Sequence, residues 1–287
     1  MGLILPGGPS WAHYSHNLTN TITGTTFGTQ VASGTSSADG SAVTLLSALG
    51  HDVEYLKLTL GTSATSATEN NALMDILIDP AGGTSWSVLI PSLAVAGLYQ
   101  IALATSAPCG PSGGYDFPIW IPAGASIGAQ ARNAGGTLQT FSVLAMARGG
   151  NANPASWWCG QRVSAIGIDA ANSRGTSHTP GATANVFSSW ADFGSPLGEA
   201  CGALQWAVMG ELTGSAWTSR QYEFEFGVGG VRFGAPFIRA ITGSENGFWI
   251  PTGPIFKRLP AGAQLQCRGK ASASSSVATS VAAWAVY

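Results

Sequence analysis

One short phrase of this chain occurs twice, and the recurrence constrains the architecture more than any other feature. The first occurrence reads Ile121-Pro122-Ala123-Gly124-Ala125, with Ile127, Ala129 and Ala131 at alternate places after it and Arg132 closing the run. The second, 138 positions on, reads Leu259-Pro260-Ala261-Gly262-Ala263, followed by Leu265, Cys267, Gly269 and Lys270. Both copies then end in an apolar run, at 141–146 and 281–287. Proline cannot donate to a strand ladder, and glycine adopts positive φ without steric cost. The phrase therefore predicts a corner that ends one strand and reverses into the next, in preference to a binding loop. Two copies of one corner predict an all-β chain: two tandem β-sandwich, jelly-roll-like domains from an internal duplication.

The strands around the corner repeat as well. Val53, Tyr55, Leu56, Leu58 and Leu60 roughly alternate with Glu54, Lys57 and Thr59. A second strand, 73–79, is stopped by Pro80-Ala81-Gly82-Gly83, and further strands are read at 86–91, 117–122, 127–132 and 138–147. In the second copy, 204–209 takes the place of the Tyr55 strand. The run 222–227 takes the place of 73–79, with Tyr222, Phe224 and Phe226 on one face, Glu223 and Glu225 on a solvated one, and Gly229-Gly230 after it. Strands at 231–233 and 237–241 follow. No capped amphipathic helix longer than ten residues is legible. Gly149-Gly150-Asn151-Ala152-Asn153-Pro154 reads as a short hinge. The expected division is an extended N-terminal arm at 1–35, one sandwich at 36–150 and a second at 151–287. The 287 residues allow each domain its own core. The arm is rich in Thr, Asn and Gly but poor in large apolar residues, so a neighbouring surface is expected to order it. Its candidate assembly residues are Trp11, His13, Tyr14, His16 and Leu18.

Composition narrows the partners. Charged residues make up 9% of the chain, against roughly 25% in an average soluble protein, and the net charge is −2. There is no basic excess to bind phosphate, so no nucleic-acid partner is expected. No run of about 18 apolar residues is present, so membrane insertion is not expected. The opening Met1–Pro6 lacks the basic start and length of a signal peptide. A surface of Ser, Thr, Asn, Gly and apolar atoms favours burial in a homo-oligomer, with a trimer, pentamer or hexamer as the candidate forms.

Chemistry is sparse. The four cysteines, Cys109, Cys159, Cys201 and Cys267, lie far apart with no Cys-x-x-Cys, and read as free buried thiols. The histidines are His13, His16, His51 and His178; His13 and His16 point to opposite faces of an extended arm with no Cys or carboxylate near them in sequence, so surface or interface histidines are read in preference to metal ligands and no metal is expected. No Gly-x-Ser-x-Gly elbow or phosphate-binding glycine loop occurs, and no cofactor is implied. Glu223 and Glu225 sit i, i+2 on one strand, whereas a glycosidase pair normally comes from separate elements. The chain is expected not to be an enzyme. Ten tryptophans exceed what two sandwich cores need. The surplus suits subunit interfaces or stacking on sugar rings, with Trp157, Trp158, Trp217 and Trp249 as candidates for either.

Three stretches carry a family resemblance: Ser10-Trp11-Ala12-His13-Tyr14-Ser15-His16-Asn17-Leu18-Thr19-Asn20-Thr21, Ala72-Leu73-Met74-Asp75-Ile76-Leu77-Ile78, and Phe117-Pro118-Ile119-Trp120-Ile121-Pro122-Ala123-Gly124. They resemble tailed-phage virion proteins built from β-sandwich modules. The resemblance covers most of the first 150 residues; the second copy keeps the corner with Leu259 in place of Ile121 and loses the Asn-Leu-Thr start. It implies a virion component assembled in the host cytoplasm, in contact with other virion proteins. The head spike of a phage-like gene transfer agent is one possible home, and host surface polysaccharide is a possible ligand. It supplies no catalytic residues.

Overall fold

The computed structural model describes residues 11–14, 28–34, 38–62, 72–95, 114–133, 140–149, 158–168, 175–209, 220–241, 249–251, 254–274 and 278–287. Among them every regular element is a β-strand. In the first half these are β1 (Trp11–Tyr14), β2 (Thr29–Gly34), β3 (Val43–Leu46), β4 (Val53–Thr62), β5 (Ala72–Asp79), β6 (Ser87–Val95), β7 (Tyr115–Phe117), β8 (Ser126–Asn133) and β9 (Thr140–Gly149). In the second half they are β10 (Val163–Ile166), β11 (Thr176–His178), β12 (Ala191–Asp192), β13 (Cys201–Met209), β14 (Arg220–Val228), β15 (Val231–Arg232), β16 (Phe237–Ile241), β17 (Trp249–Pro251), β18 (Ile255–Leu259), β19 (Leu265–Ala271) and β20 (Thr279–Val286).

The first half is one sheet curled on itself, in the order β6-β5-β8-β2-β9-β4-β7. Strand β2 makes the bend. Thr29 to Ala32 pair antiparallel with β9, then Ser33 and Gly34 pair parallel with β8. The two layers enclose Leu56, Leu58, Val143 and Ala145 from one side and Met74, Ile76, Ile127 and Ala129 from the other. The second half has the same layout in two sheets, one centred on β13 and β20, the other on β14 and β19. Its core is more aromatic. Trp206 stacks on Phe226 at 4.3 Å between centroids and meets Phe193 edge-on at 5.5 Å.

The pairing repeats strand for strand. β4 lies against β9 as β13 lies against β20, and β5 against β8 as β14 against β19. β7 pairs with β4 where β18 pairs with β13, and β6 pairs with β5 where β15 and β16 pair with β14. β10, on β20, is the counterpart of β1, on β9. The corner repeats at atomic level. Gly124 N–H donates to Leu49 O at 2.6 Å and Gly262 N–H to Leu197 O at 2.7 Å. Leu49 N–H returns a bond to Ala125 O, and Leu197 N–H one to Ala263 O.

Three expectations change in detail. The stretch read as an arm is extended, but where it is described it pairs within its own chain, β1 on β9 and β2 inside the first sheet. The run 117–122 is not a continuous strand. β7 ends at Phe117, and Ile119 and Ile121 make isolated bridges to Gly160 and Val53. Finally, the two cores are not separate. Ala203, Ala207, Ala282, Trp284 and Val286 of the second half belong to the first half's core. Every residue of β20 is buried, because one face of the β13–β20 sheet packs on its own sandwich and the other on the first.

Candidate functional surfaces

The junction between the sandwiches is built from the outward face of β13 and β20. Trp284 projects into the gap between β6 and β7, the two ends of the curled first sheet. Its Nε1–H donates to Pro91 O at 3.0 Å, and its ring meets Tyr115 edge-on at 5.0 Å. The Tyr115 hydroxyl donates to Ala94 O at 2.8 Å, tying β7 to β6. Asp116 N–H donates to Gln205 Oε1 at 3.0 Å. Gly160 continues the seam, donating to Pro118 O and accepting from Trp120 N–H. Edge strands β6 and β7 are thereby covered instead of left as open ladders.

Two carboxylates occupy matching register positions. Asp75 in β5 lies opposite Gln130, and Glu225 in β14 opposite Arg268. Both are buried, at 7% and 4% exposure, and both are held by arginine. Arg132 Nη1 lies 2.9 Å from Asp75 Oδ2, and Ser92 N–H donates to Asp75 Oδ1 at 2.7 Å. Arg268 and Arg232 grip Glu225 at 2.7 and 2.8 Å. The Arg268 guanidinium also lies over the rings of Phe187 and Trp190, 4.6 Å from each centroid. Burial pushes the Glu225 pKa up, but the bonds and charges of Arg268 and Arg232 outweigh it and hold the carboxyl below its ordinary value. Of the pair expected on a solvated face, Glu223 is half-buried and bonded to Lys270 at 2.9 Å, and Glu225 is sealed. Each acidic group is neutralised by a fixed cation, which is a structural arrangement.

His178 lies at the register position that Val31 fills in the first half: Thr29 pairs with Val143 and Thr176 with Val281. It is buried, against Phe224, with Nε2 3.3 Å from Ser188 Oγ. Ser188 Oγ accepts from Gly269 N–H at 3.1 Å. Burial lowers the His178 pKa to about 4, so the ring is neutral near pH 7. This is a core histidine in place of a core valine. Among the described residues no group of three or more His, Cys, Asp or Glu is placed to hold a metal ion. Also among them, no helix is long and apolar enough to cross a membrane. Cys159, Cys201 and Cys267 are free thiols; burial pushes Cys267 up to about 12.

Of the candidate aromatics, Trp158 is 38% exposed and lies against Gly202, where a Cβ would clash with its ring. Trp120, 39% exposed, flanks the same seam and was not singled out by the sequence reading. Its place in the repeated-corner phrase hid it among core residues. Trp249 falls in β17, paired opposite Met209. Trp157, Trp217, His16, Leu18 and Cys109 lie outside the described residues. Trp11, His13 and Tyr14 form β1, in register with Gly149, Ala147 and Met146.

The chain is thus a double β-sandwich protein whose halves share a core. No family model and no curated protein matches it. Among solved structures it is similar to PNGF-II, at 10% identity and TM-score 0.38, with 96% of this chain and 65% of that chain covered. It is also similar to the tandem CBM22-1-CBM22-2 domain of Paenibacillus barcinonensis Xyn10C, at 9% identity and TM-score 0.24, with 96% and 91% covered. A third is infectious bursal disease virus, Gt strain, at 10% identity and TM-score 0.26, with 99% and 73% covered. The chain spans less than two thirds of the length of PNGF-II.

Proposed function

We propose that this chain is a non-enzymatic structural subunit of a tailed phage or phage-like particle, self-associating on the head or tail surface as a spike, cement or adaptor protein. The observation that carries the reading is the shared core. Covering the β6 and β7 edges with the β13–β20 sheet gives the two sandwiches one shared core; the expected hinge at 149–154 lies, from Gly150 on, outside the described residues. The low charge and the resemblance of 10–21, 72–78 and 117–124 to virion modules supply the particle. The test is to purify particles by density gradient from cells producing the chain and quantify it by mass spectrometry. A fixed copy number per particle is expected; its absence from banded particles contradicts the reading.

A second reading, adsorption to host surface polysaccharide, is favoured by the exposure of Trp120 and Trp158 beside one seam. Indole faces stack on sugar rings, and Gly202 leaves the Trp158 ring flat against the sheet. Saturable quenching of tryptophan fluorescence by purified host polysaccharide, lost in Trp158→Ala with the circular dichroism spectrum unchanged, is the expected result. No saturation in the wild type removes this reading.

A further inference from the structure

Ser92 is one of three non-glycine residues with positive φ among the described residues, at +53°. A left-handed backbone is costly for a residue with a Cβ, and such strain persists only where the surroundings hold it. Met74 pairs with Leu93 and Ile76 with Ile90, so Pro91 and Ser92 together stand opposite the single residue Asp75, a bulge in β6. Asp75 Oδ1 accepts from Ser92 N–H at 2.7 Å, and Arg132 Nη2 donates to Ser92 Oγ. The two holders are themselves paired, with Arg132 Nη1 2.9 Å from Asp75 Oδ2, and both are buried. The second half shows what the position requires. Gly227 pairs with Arg232 and Phe224 with Phe237, so residues 233–236 stand opposite Glu225 and Phe226. Gly234 lies in that break at φ +75°, a conformation glycine takes without steric cost. The first half carries serine instead, and a buried ion pair holds it.

The same bulge carries the contact between the sandwiches. Pro91 O accepts the Trp284 Nε1–H bond at 3.0 Å. The Pro91 carbonyl and the Ser92 N–H belong to one planar peptide group, and in a trans peptide the two point in opposite directions. The bond that draws the Ser92 N–H to Asp75 therefore aims Pro91 O the other way, at Trp284. Asp75 lies on the opposite face of β5 from Met74 and Ile76, which line the shared core. We infer that the Asp75–Arg132 pair is a latch on the junction: by holding Ser92 left-handed it keeps the Pro91 carbonyl on Trp284, so that a change on the outward face of the first sheet is transmitted to the second sandwich. The element with two arrangements is the Pro91–Ser92 peptide, turned to Trp284 when the pair holds it and rotated away when Ser92 relaxes to negative φ. Asp75 and Arg132 are thus positioning residues for a contact that neither of them makes.

The test reads the Trp284 indole N–H directly by NMR hydrogen exchange, with its resonance assigned from its absence in Trp284→Phe. Asp75→Leu with Arg132→Met removes both charges together, so that neither is left buried alone. Each variant is checked for an unchanged circular dichroism spectrum, and exchange is measured under conditions where urea denaturation shows it folded. The double variant is expected to exchange this proton about tenfold faster than the wild type, the upper end of what one hydrogen bond contributes. Adding Ser92→Gly is expected to return the rate to that of the wild type, because glycine keeps the peptide turned without the pair. An unchanged rate in the double variant overturns the latch and leaves the pair a local ion pair only. A raised rate that Ser92→Gly does not restore overturns it too, since the effect then does not pass through this peptide. Should the double variant fail to fold, Ser92→Val is used with the pair intact. A β-branched residue resists positive φ, so the same faster exchange is expected, and a wild-type rate overturns the proposal.

Discussion

Gly124 and Gly262 hold the same left-handed conformation, with φ of +83° and +78°, at the turn of each corner. A Cβ at either would meet nothing within 4 Å, so their substitution isolates backbone cost from packing. Gly124→Ala and Gly262→Ala are each expected to destabilise by about 1–2 kcal/mol through positive φ alone, and by equal amounts, as read by urea denaturation. His178 gives a second residue-scale prediction. Its folded pKa, about 4, lies below the ordinary 6.5, so between these values the unfolded chain binds the extra proton. Its contribution is therefore complete above pH 6.5 and declines as pH falls towards 4, by on the order of 2–3 kcal/mol. His178→Val, which restores the residue found at the equivalent position, should flatten that part of the stability–pH profile. The corner was legible because Pro and Gly act through their own backbones. The histidine was not, since only strand register shows that it fills a valine's place.

At the scale of elements, the β13–β20 sheet is the most consequential feature. Val281, Ala283 and Ala285 face one core while Ala282, Trp284 and Val286 face the other. The run 281–286 could be read as a buried strand, but apolar residues at both parities do not say what covers the second face. That information lies in β6 and β7, nearly two hundred positions away in the case of the Trp284 bond to Pro91. Trp284→Ala is expected to cost about 3–5 kcal/mol and to split a single thermal transition into two, measured by calorimetry. The carboxylate pair shows the same limit. Alternation placed Glu223 and Glu225 on the outward face of β14, but Arg268 on β19, which binds Glu225 and lies over the loop residues Phe187 and Trp190, reaches it only in three dimensions. Removing the guanidinium in Arg268→Ala leaves Glu225 with Arg232 alone, and is expected to destabilise by about 3 kcal/mol and to raise the acid-denaturation midpoint.

For the whole molecule, duplication supplies two like halves, and the junction joins them through one core. The β13–β20 sheet of the second half closes the first half's core between β6 and β7, and Trp284 bonded to Pro91 marks the contact. The aromatic surplus fits this picture in part: Trp206 and Trp284 are buried in the second core and the junction, while Trp120 and Trp158 remain at the seam. The central claim is that the chain is a building block, and the mass of the purified protein in solution tests it most directly. Light scattering across a tenfold concentration range is expected to give a discrete multiple of the 29.2 kDa chain, or a growing filament. A monodisperse 29.2 kDa species at every concentration would contradict the account.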